Sequence, residues 1–193
     1  MKITLLAGNF ENTSNTLFAL EKVNQQLYID WQLEKLMALN YEVDVVLGYR
    51  FSEEILRESL LIRQCHIIFD PNEAEGSPLS NLFAGLFALY GEGFFLPIQF
   101  KSPSLIDWQR MIKRLYQVAN DGYHTLRPYC PIEGSMQPGY PLGITRQAKT
   151  LLMKDRKINK IEEAQLKEYK MPVLDSHMSQ PYLGTGQNLP QVG

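Results

Sequence analysis

The residues best suited to chemistry stand near the start of the chain. A short, mainly apolar run over residues 2–7 stops at Gly8, and small polar residues follow, among them Asn9, Thr13 and Ser14. This pattern is typical of a buried strand that feeds a binding loop. Hydroxyl groups in such a loop can bind a phosphate or cap the next helix, and capping is their commoner role.

A second group of candidates is acidic. Asp70, Glu73 and Glu75 flank the segment that follows a second apolar run. Carboxylates suit Mg²⁺, but Asp70 precedes a proline and the other two alternate along a loop. We therefore expect a solvated loop rather than a metal site. Glu11, in the first loop, is also expected to be solvated.

Other reactive side chains give weaker signals. Cys65 and His66 lie in an apolar run and are predicted to be core residues. Asp175 and His177 form a pair that is too unspecific to assign a metal. The sequence contains no complete P-loop, G-x-G-x-x-G or G-x-S-x-G motif. Four tyrosines are better explained by packing than by ligand binding, namely Tyr116, Tyr123, Tyr129 and Tyr140.

Strand-like runs alternate with helical patterns along the first two thirds of the chain. The strand-like runs span residues 2–7, 41–48, 65–69 and 94–98. The helical patterns span residues 29–40, 52–62, 78–89 and 103–115. Alternation with short connections predicts an α/β fold with a mainly parallel sheet. The continuously apolar run at 65–69 is expected to be a strand buried on both faces, and the run at 94–98 is also expected to be a buried strand. Asn40 is expected to end the first helix.

The pattern changes in the last third. Residues 121–141 are rich in tyrosine, proline and glycine, which favours an antiparallel excursion or a flap. Two further helices are predicted over 144–153 and 161–169, and a last strand over 171–175. Residues 176–193 form a polar C-terminal tail without a core signal. We expect one domain over residues 1–193.

Composition narrows the classes of partner. The 193 residues carry a formal charge of −2, which gives no reason to expect nucleic-acid binding. The apolar stretch over 82–98 is interrupted by Gly91-Glu92-Gly93, so neither piece is long enough to span a membrane. Two cysteines are too few for a disulfide framework, and a cytoplasmic location is expected.

Several strings follow one another in an order shared with a known family. They are Leu6-Ala7-Gly8, Ala19-Leu20, Val23-Asn24, Asp70-Pro71, Gly76, Ser80-Asn81-Leu82, Gly85, Phe95-Leu96-Pro97-Ile98 and Gly139-Tyr140-Pro141. The chain thereby resembles the nucleotidyltransferases that attach GMP or CMP to the molybdenum cofactor. The resemblance implies a Rossmann-like three-layer α/β/α sandwich of the nucleotide-diphospho-sugar transferase type. It implies nucleotide-binding positions at Leu6, Ala7, Gly8, Asn9, Thr13, Ser14, Phe18, Gly76 and Ser80.

The sequence departs from that family where the chemistry takes place. The places of the family's loop arginine and lysine hold Thr13 and Phe18, and its second glycine is Asn9. The metal-binding aspartate after the fourth strand is Gln99, and residues 182–190 contain no carboxylate where the family has an acidic string. Nucleotidyl transfer depends on cations and carboxylate-bound Mg²⁺ around the phosphates. These losses favour a catalytically degenerate homologue with a binding or regulatory role.

Two alternatives stay open at this point. An active transferase with a rebuilt site, using Mg²⁺ or a nucleotide sugar, would need carboxylates converging at the carboxyl ends of the strands. A protein–protein module would bind a partner protein or a second copy through the tail and the aromatic-rich middle. A nucleotide or another small molecule is the ligand expected for the first two hypotheses.

Overall fold

A mixed β-sheet forms the middle layer of the molecule. The computed structural model describes residues 1–8, 18–49, 51–72, 79–100, 106–132, 135–154 and 166–172, and every structural statement below concerns these residues. The strands are β1 (Lys2–Leu6), β2 (Lys22–Val23), β3 (Gln26–Leu27), β4 (Glu42–Gly48), β5 (His66–Asp70), β6 (Gly93–Pro97), β7 (Thr125–Ile132), β8 (Ser135–Pro138), β9 (Leu142–Ile144) and β10 (Glu168–Pro172). The helices are α1 (Tyr28–Met37), α2 (Ser52–Glu58), α3 (Ser80–Ala88), α4 (Trp108–Asn120) and α5 (Arg146–Lys154).

The order of the strands reverses beside β1, and the region at the carboxyl ends of β1 and β6 is called the crevice below. The sheet runs β10-β7-β9-β6-β1-β4-β5, with β8 paired to β7, and β2 and β3 form a separate small hairpin. Strands β6, β1, β4 and β5 are parallel. The chain passes outward from β1 through β4 to β5, and then returns to β6 on the other side of β1. Open α/β sheets bind ligands at the carboxyl ends of the strands where the strand order reverses in this way.

Helices cover both faces of the sheet. Side chains alternate along β1, so that Ile3 and Leu5 join a core with α1 and α4, whereas Leu6 joins a second core with α3 and α5. Strand β6 is buried along its whole length, as expected for a strand covered on both faces. This is a Rossmann-like three-layer α/β/α sandwich, and the predicted fold class is confirmed.

Gly85 allows α3 to lie close to the sheet. A Cβ atom at this position would come within 2.8 Å of the Phe95 ring and 3.1 Å of Thr4 Cγ2. A larger residue would therefore push α3 away from β1 and β6. Because α3 begins beside the carboxyl ends of the strands, this close packing also sets the position of its first turn.

The prediction that β5 is buried on both faces was wrong. The strand exists, but it lies at the edge of the sheet, and the side chains of His66 and Phe69 are more than half and about half exposed. Cys65, which precedes it, is only partly buried. A short apolar strand looks the same in sequence whether a neighbour covers it or not, because strand order is set by distant residues. His66 is thus not a core residue.

Several boundaries also differ from the predictions. The helix expected over 52–62 ends at Glu58, and Ile144 belongs to β9 rather than to the helix that begins at Arg146. Glu168 and Tyr169 lie in β10, so no helix extends to 169. The antiparallel excursion is confirmed by the pairing of β7 with β8. Residues 161–165 and the tail at 176–193 lie outside the described residues, and the single-domain organisation stays a prediction.

Candidate functional site

The ends of β1 and β6 delimit the candidate site. The Leu6 carbonyl accepts a hydrogen bond from the Ile98 N–H at 2.9 Å, and the Ala7 N–H donates to the Val46 carbonyl at 2.8 Å. Leu6 and Ala7 are therefore still bonded to the neighbouring strands. Gly8 is the first residue beyond the sheet, and it stands where the strand order reverses.

Asn81 packs directly against Gly8. A Cβ atom on Gly8 would lie 2.1 Å from Asn81 Oδ1 and 2.7 Å from both Cγ and Nδ2. Asn81 belongs to the first turn of α3 and is only 8% exposed. Its Oδ1 atom is buried and has no hydrogen-bond partner among the described residues. Glycine at position 8 is thus required by the approach of this carboxamide.

Asp70 is a buried carboxylate at the end of β5. It is 1% exposed, and its Oδ1 accepts a hydrogen bond from the backbone N–H of Asn72 at 2.9 Å. Its Oδ2 is buried without a hydrogen-bond partner in the described part of the chain. The expectation that Asp70 belongs to a solvated loop was therefore wrong, because β5 extends to this residue and α3 packs against the strand. Glu73, Glu75 and Glu11 lie outside the described residues.

A cavity of about 400 Å³ opens beside Asp70. Asn72 and Ser80 contribute its other polar side chains. The remainder of the lining is apolar and consists of Ile68, Phe69, Pro71, Phe83, Ala84, Phe87 and Met153. Its size and its few polar groups are those of small-molecule sites, which commonly have volumes of roughly 300–1,000 Å³.

The start of α3 faces this region. Leu79 occupies the N-cap position, where its apolar side chain makes no capping hydrogen bond. The N–H groups of a first helical turn lack partners within the helix and carry the positive end of its dipole. The first turn of α3 therefore contacts Gly8 through Asn81 and lines the cavity through Ser80.

The structure places the predicted binding residues in different surroundings. Ser80 is buried and lines the cavity, whereas Leu6 is the last residue of β1 and is followed by Ala7 and Gly8. Phe18 is 3% exposed and belongs to the core that contains α1, so its side chain is not presented to the crevice. Gln99 follows β6 and is partly buried. Asn9, Thr13, Ser14 and Gly76 lie outside the described residues.

The described residues do not fit a Mg²⁺ ion held by the protein. Asp70 is the one carboxylate among the described residues that end or directly follow β1, β4, β5 and β6. Gln99 offers a neutral carbonyl, a weaker Mg²⁺ ligand than a carboxylate. Across the described part of the chain, no three His, Cys, Asp or Glu side chains converge as a metal site would require.

Two residues at the site were not recognised from the sequence. Asn81 stands within the Ser80-Asn81-Leu82 string, but nothing in the string indicates a contact with Gly8, which lies 73 positions earlier. Asp70 was predicted to belong to a solvated loop. It is instead the last residue of β5, in register with Gly48, and α3 packs against this strand.

Comparison with known proteins supports the fold by structure and not by sequence. No protein-family model matches the chain, and comparison with curated proteins finds no significant match. Solved structures do match. Molybdopterin-guanine dinucleotide biosynthesis protein A from Archaeoglobus fulgidus is 17% identical, with a TM-score of 0.66 over 90% of this chain and 84% of that one.

Two further matches belong to other nucleotide-dependent enzymes. The 4-diphosphocytidyl-2C-methyl-D-erythritol synthase from Anaerococcus prevotii is 9% identical, with a TM-score of 0.61 over 94% of this chain and 89% of that one. CMP:2-keto-3-deoxy-manno-octonic acid synthetase complexed with CTP is 12% identical, with a TM-score of 0.62 over 90% and 89%. At these identities the likeness shows the fold alone. The chain has the fold of the nucleotide-diphospho-sugar transferase class.

No helix in the described part of the chain is both long and apolar enough to cross a membrane.

Proposed function

We propose that this protein binds a nucleotide in the crevice at the ends of β1 and β6 and does not transfer the nucleotidyl group. The observation that carries the proposal is that the described residues which end or directly follow β1, β4, β5 and β6 include no lysine or arginine. Gly8, the first turn of α3 and the neighbouring cavity are all in place. Phe18, which occupies the position of the related enzymes' lysine, is turned into the core.

The loss of charge bears on catalysis more than on binding. Phosphoryl chemistry relies on cations and metal ions that stabilise the charge of the transition state. A nucleotide can still be held by backbone N–H groups at a helix start and by shape. The first turn of α3 and the cavity supply these two features here, and they support a binding or regulatory role. A cytoplasmic location is part of the proposal and rests on the small number of cysteines.

Asp70 and Ser80 support a nucleoside in the cavity. The unpartnered Asp70 Oδ2 can accept a hydrogen bond from a ligand N–H or O–H group, and the Ser80 hydroxyl can donate or accept. The apolar side chains around them suit a flat ring. GTP and CTP are the first nucleotides to test, because the matched structures include enzymes named for guanine and cytidine nucleotides.

The test combines binding and turnover. We expect at least one of GTP, CTP, ATP and UTP to raise the melting temperature of the protein, since a ligand that binds the folded state stabilises it. The Asp70→Asn variant should lose most of this shift, whereas Glu42→Gln, a change at an exposed residue at the other end of the strands, should keep it. No pyrophosphate release should occur with or without Mg²⁺.

An active transferase with a rebuilt site is the second candidate, and the buried carboxylate of Asp70 favours it. The same experiment decides between the two. The active enzyme would be established by pyrophosphate release that requires Mg²⁺, is abolished by EDTA and is lost in Asp70→Asn. This result would reject the proposal that the protein binds a nucleotide without transferring the nucleotidyl group. A flat thermal response to all four nucleotides would reject nucleotide binding and favour the protein-partner hypothesis.

A further inference from the structure

We propose that Asn81 is a specificity-determining residue of the crevice, whose Oδ1 accepts a hydrogen bond from the nucleoside part of the bound nucleotide. The inference rests on the proposed nucleotide binding and names one contact within it. The donor is a ribose hydroxyl or a base amino group, and the two are separated by the experiment below.

The first argument is the unpaired state of Asn81 Oδ1. Buried polar atoms in proteins almost always have a hydrogen-bond partner, because a buried acceptor without one is destabilising. Asn81 is more than nine-tenths buried, and Oδ1 has no partner among the described residues. A ligand with a donor group would satisfy this atom.

The second argument is that folding does not explain an asparagine here. The side chain does not cap α3, because the N-cap position belongs to Leu79, and asparagine is a poorer helix former than leucine. The neighbours Leu82 and Leu86 continue the apolar face of the helix. A leucine at position 81, which has the same branching of heavy atoms, would avoid the unpaired oxygen.

The third argument is location. The carboxamide touches Gly8, the first residue beyond the sheet, at the point where the strand order reverses. Ligands of open α/β sheets bind at this place. Thr4 provides the contrast, since its hydroxyl is also buried without a partner in the described part of the chain. However, Thr4 lies in the middle of β1 under Gly85, away from the strand ends.

The test uses this contrast between two unpaired polar groups. Asn81→Leu and Thr4→Val each remove one such group, and we expect each to raise the melting temperature of the ligand-free protein. Only Asn81→Leu should weaken binding of the best nucleotide from the GTP, CTP, ATP and UTP panel, by about tenfold in Kd. Thr4→Val should bind it as the wild type does. Asn81→Ala gives the same binding test in a variant that cannot be overpacked.

Nucleotide analogues identify the donor. The 2′-deoxy and 3′-deoxy forms and a form without the base amino group are titrated into wild type and Asn81→Ala. The analogue that lacks the donor should bind wild type about tenfold more weakly than the parent nucleotide does. In Asn81→Ala, this analogue and the parent nucleotide should bind with equal affinity.

The outcomes are separable. If the wild type binds a nucleotide and both Asn81 variants bind it equally well, the Asn81 proposal is overturned and nucleotide binding stands. If every analogue loses as much affinity, relative to the parent nucleotide, in Asn81→Ala as it does in wild type, the proposed contact is also wrong. If no nucleotide binds the wild type, both proposals fail.

Discussion

The carboxamide of Asn81 occupies the space that the Cβ of any other residue would need at position 8. This contact links the first strand of the sheet to the first turn of α3, and it places Oδ1 only 2.1 Å from that Cβ position. The closeness restricts position 8 to glycine whatever ligand the crevice binds. Backbone freedom is not the reason, since space alone excludes a side chain.

Gly8→Ala should therefore be destabilising, and Asn81 should be the cause. We expect the free energy of unfolding to fall by about 1–3 kcal/mol, the usual cost of overpacking a tight contact. In the background of Asn81→Ala, which removes the opposing atoms, the same substitution should cost much less. Urea unfolding of the four proteins in this double-mutant cycle measures the coupling. Equal costs in both backgrounds would show that the clash is not with Asn81.

Phe18→Lys should not produce transferase chemistry, although the family that the sequence resembles has a lysine at the corresponding position. Phe18 packs in the core, so the substitution buries an ammonium group and removes an aromatic ring. We expect a loss of at least about 3 kcal/mol in unfolding free energy. Lys22→Ala, at an exposed residue four positions later, serves as the control and should have little effect. Pyrophosphate release by a folded Phe18→Lys protein would contradict this account of the site.

Asp44 stabilises the amino ends of the parallel strands, opposite the crevice. Its buried carboxylate accepts hydrogen bonds from Lys2 Nζ at 3.0 and 3.1 Å and lies 3.3 Å from His66 Nδ1. Asp44→Asn should lower the free energy of unfolding by about 3 kcal/mol, because the Lys2 ammonium, mostly buried, loses its closer and buried counter-charge. Glu42→Gln removes only an exposed partner 3.7 Å from Lys2 and should cost less than about 1 kcal/mol. Nucleotide binding should be unchanged in Glu42→Gln.

Cys65 gives the protein a pH dependence in the alkaline range. Burial, with a smaller contribution from the negative charge of Asp44, raises the pKa of the Cys65 thiol to about 11 from its usual 9.0. The folded protein therefore holds this proton more tightly than the unfolded chain does. The resulting stabilisation is complete below pH 9 and is lost as the pH rises towards 11.

The comparison with Cys65→Ala isolates this contribution from other groups that titrate in the same range. We expect the difference in unfolding free energy between wild type and Cys65→Ala to shrink between pH 9 and pH 11, as measured by urea unfolding at each pH. A difference that stays constant over this interval would show that the thiol does not titrate with a raised pKa. At neutral pH, the same thiol should react slowly with iodoacetamide, because the thiolate is the nucleophile.

The sequence by itself determined the class of fold and much of the local structure. Alternating strand and helix patterns gave the α/β architecture, and the apolar run at β6 correctly predicted a fully buried strand. Asn40 was predicted to end the first helix, and it adopts a left-handed conformation (φ 58°) just beyond α1. These features depend on residues close together in the chain, so periodicity and residue type reveal them.

Only the tertiary structure decided which side chains are buried around the site. The order of the strands left Phe69 exposed at the edge and buried Asp70 at the end of the same strand. It also placed Asn81 against Gly8 and turned Phe18 into the core. Each of these outcomes depends on contacts between segments far apart in the sequence. Local patterns do not reveal such contacts, because the burial of a side chain also depends on which distant segment packs against it.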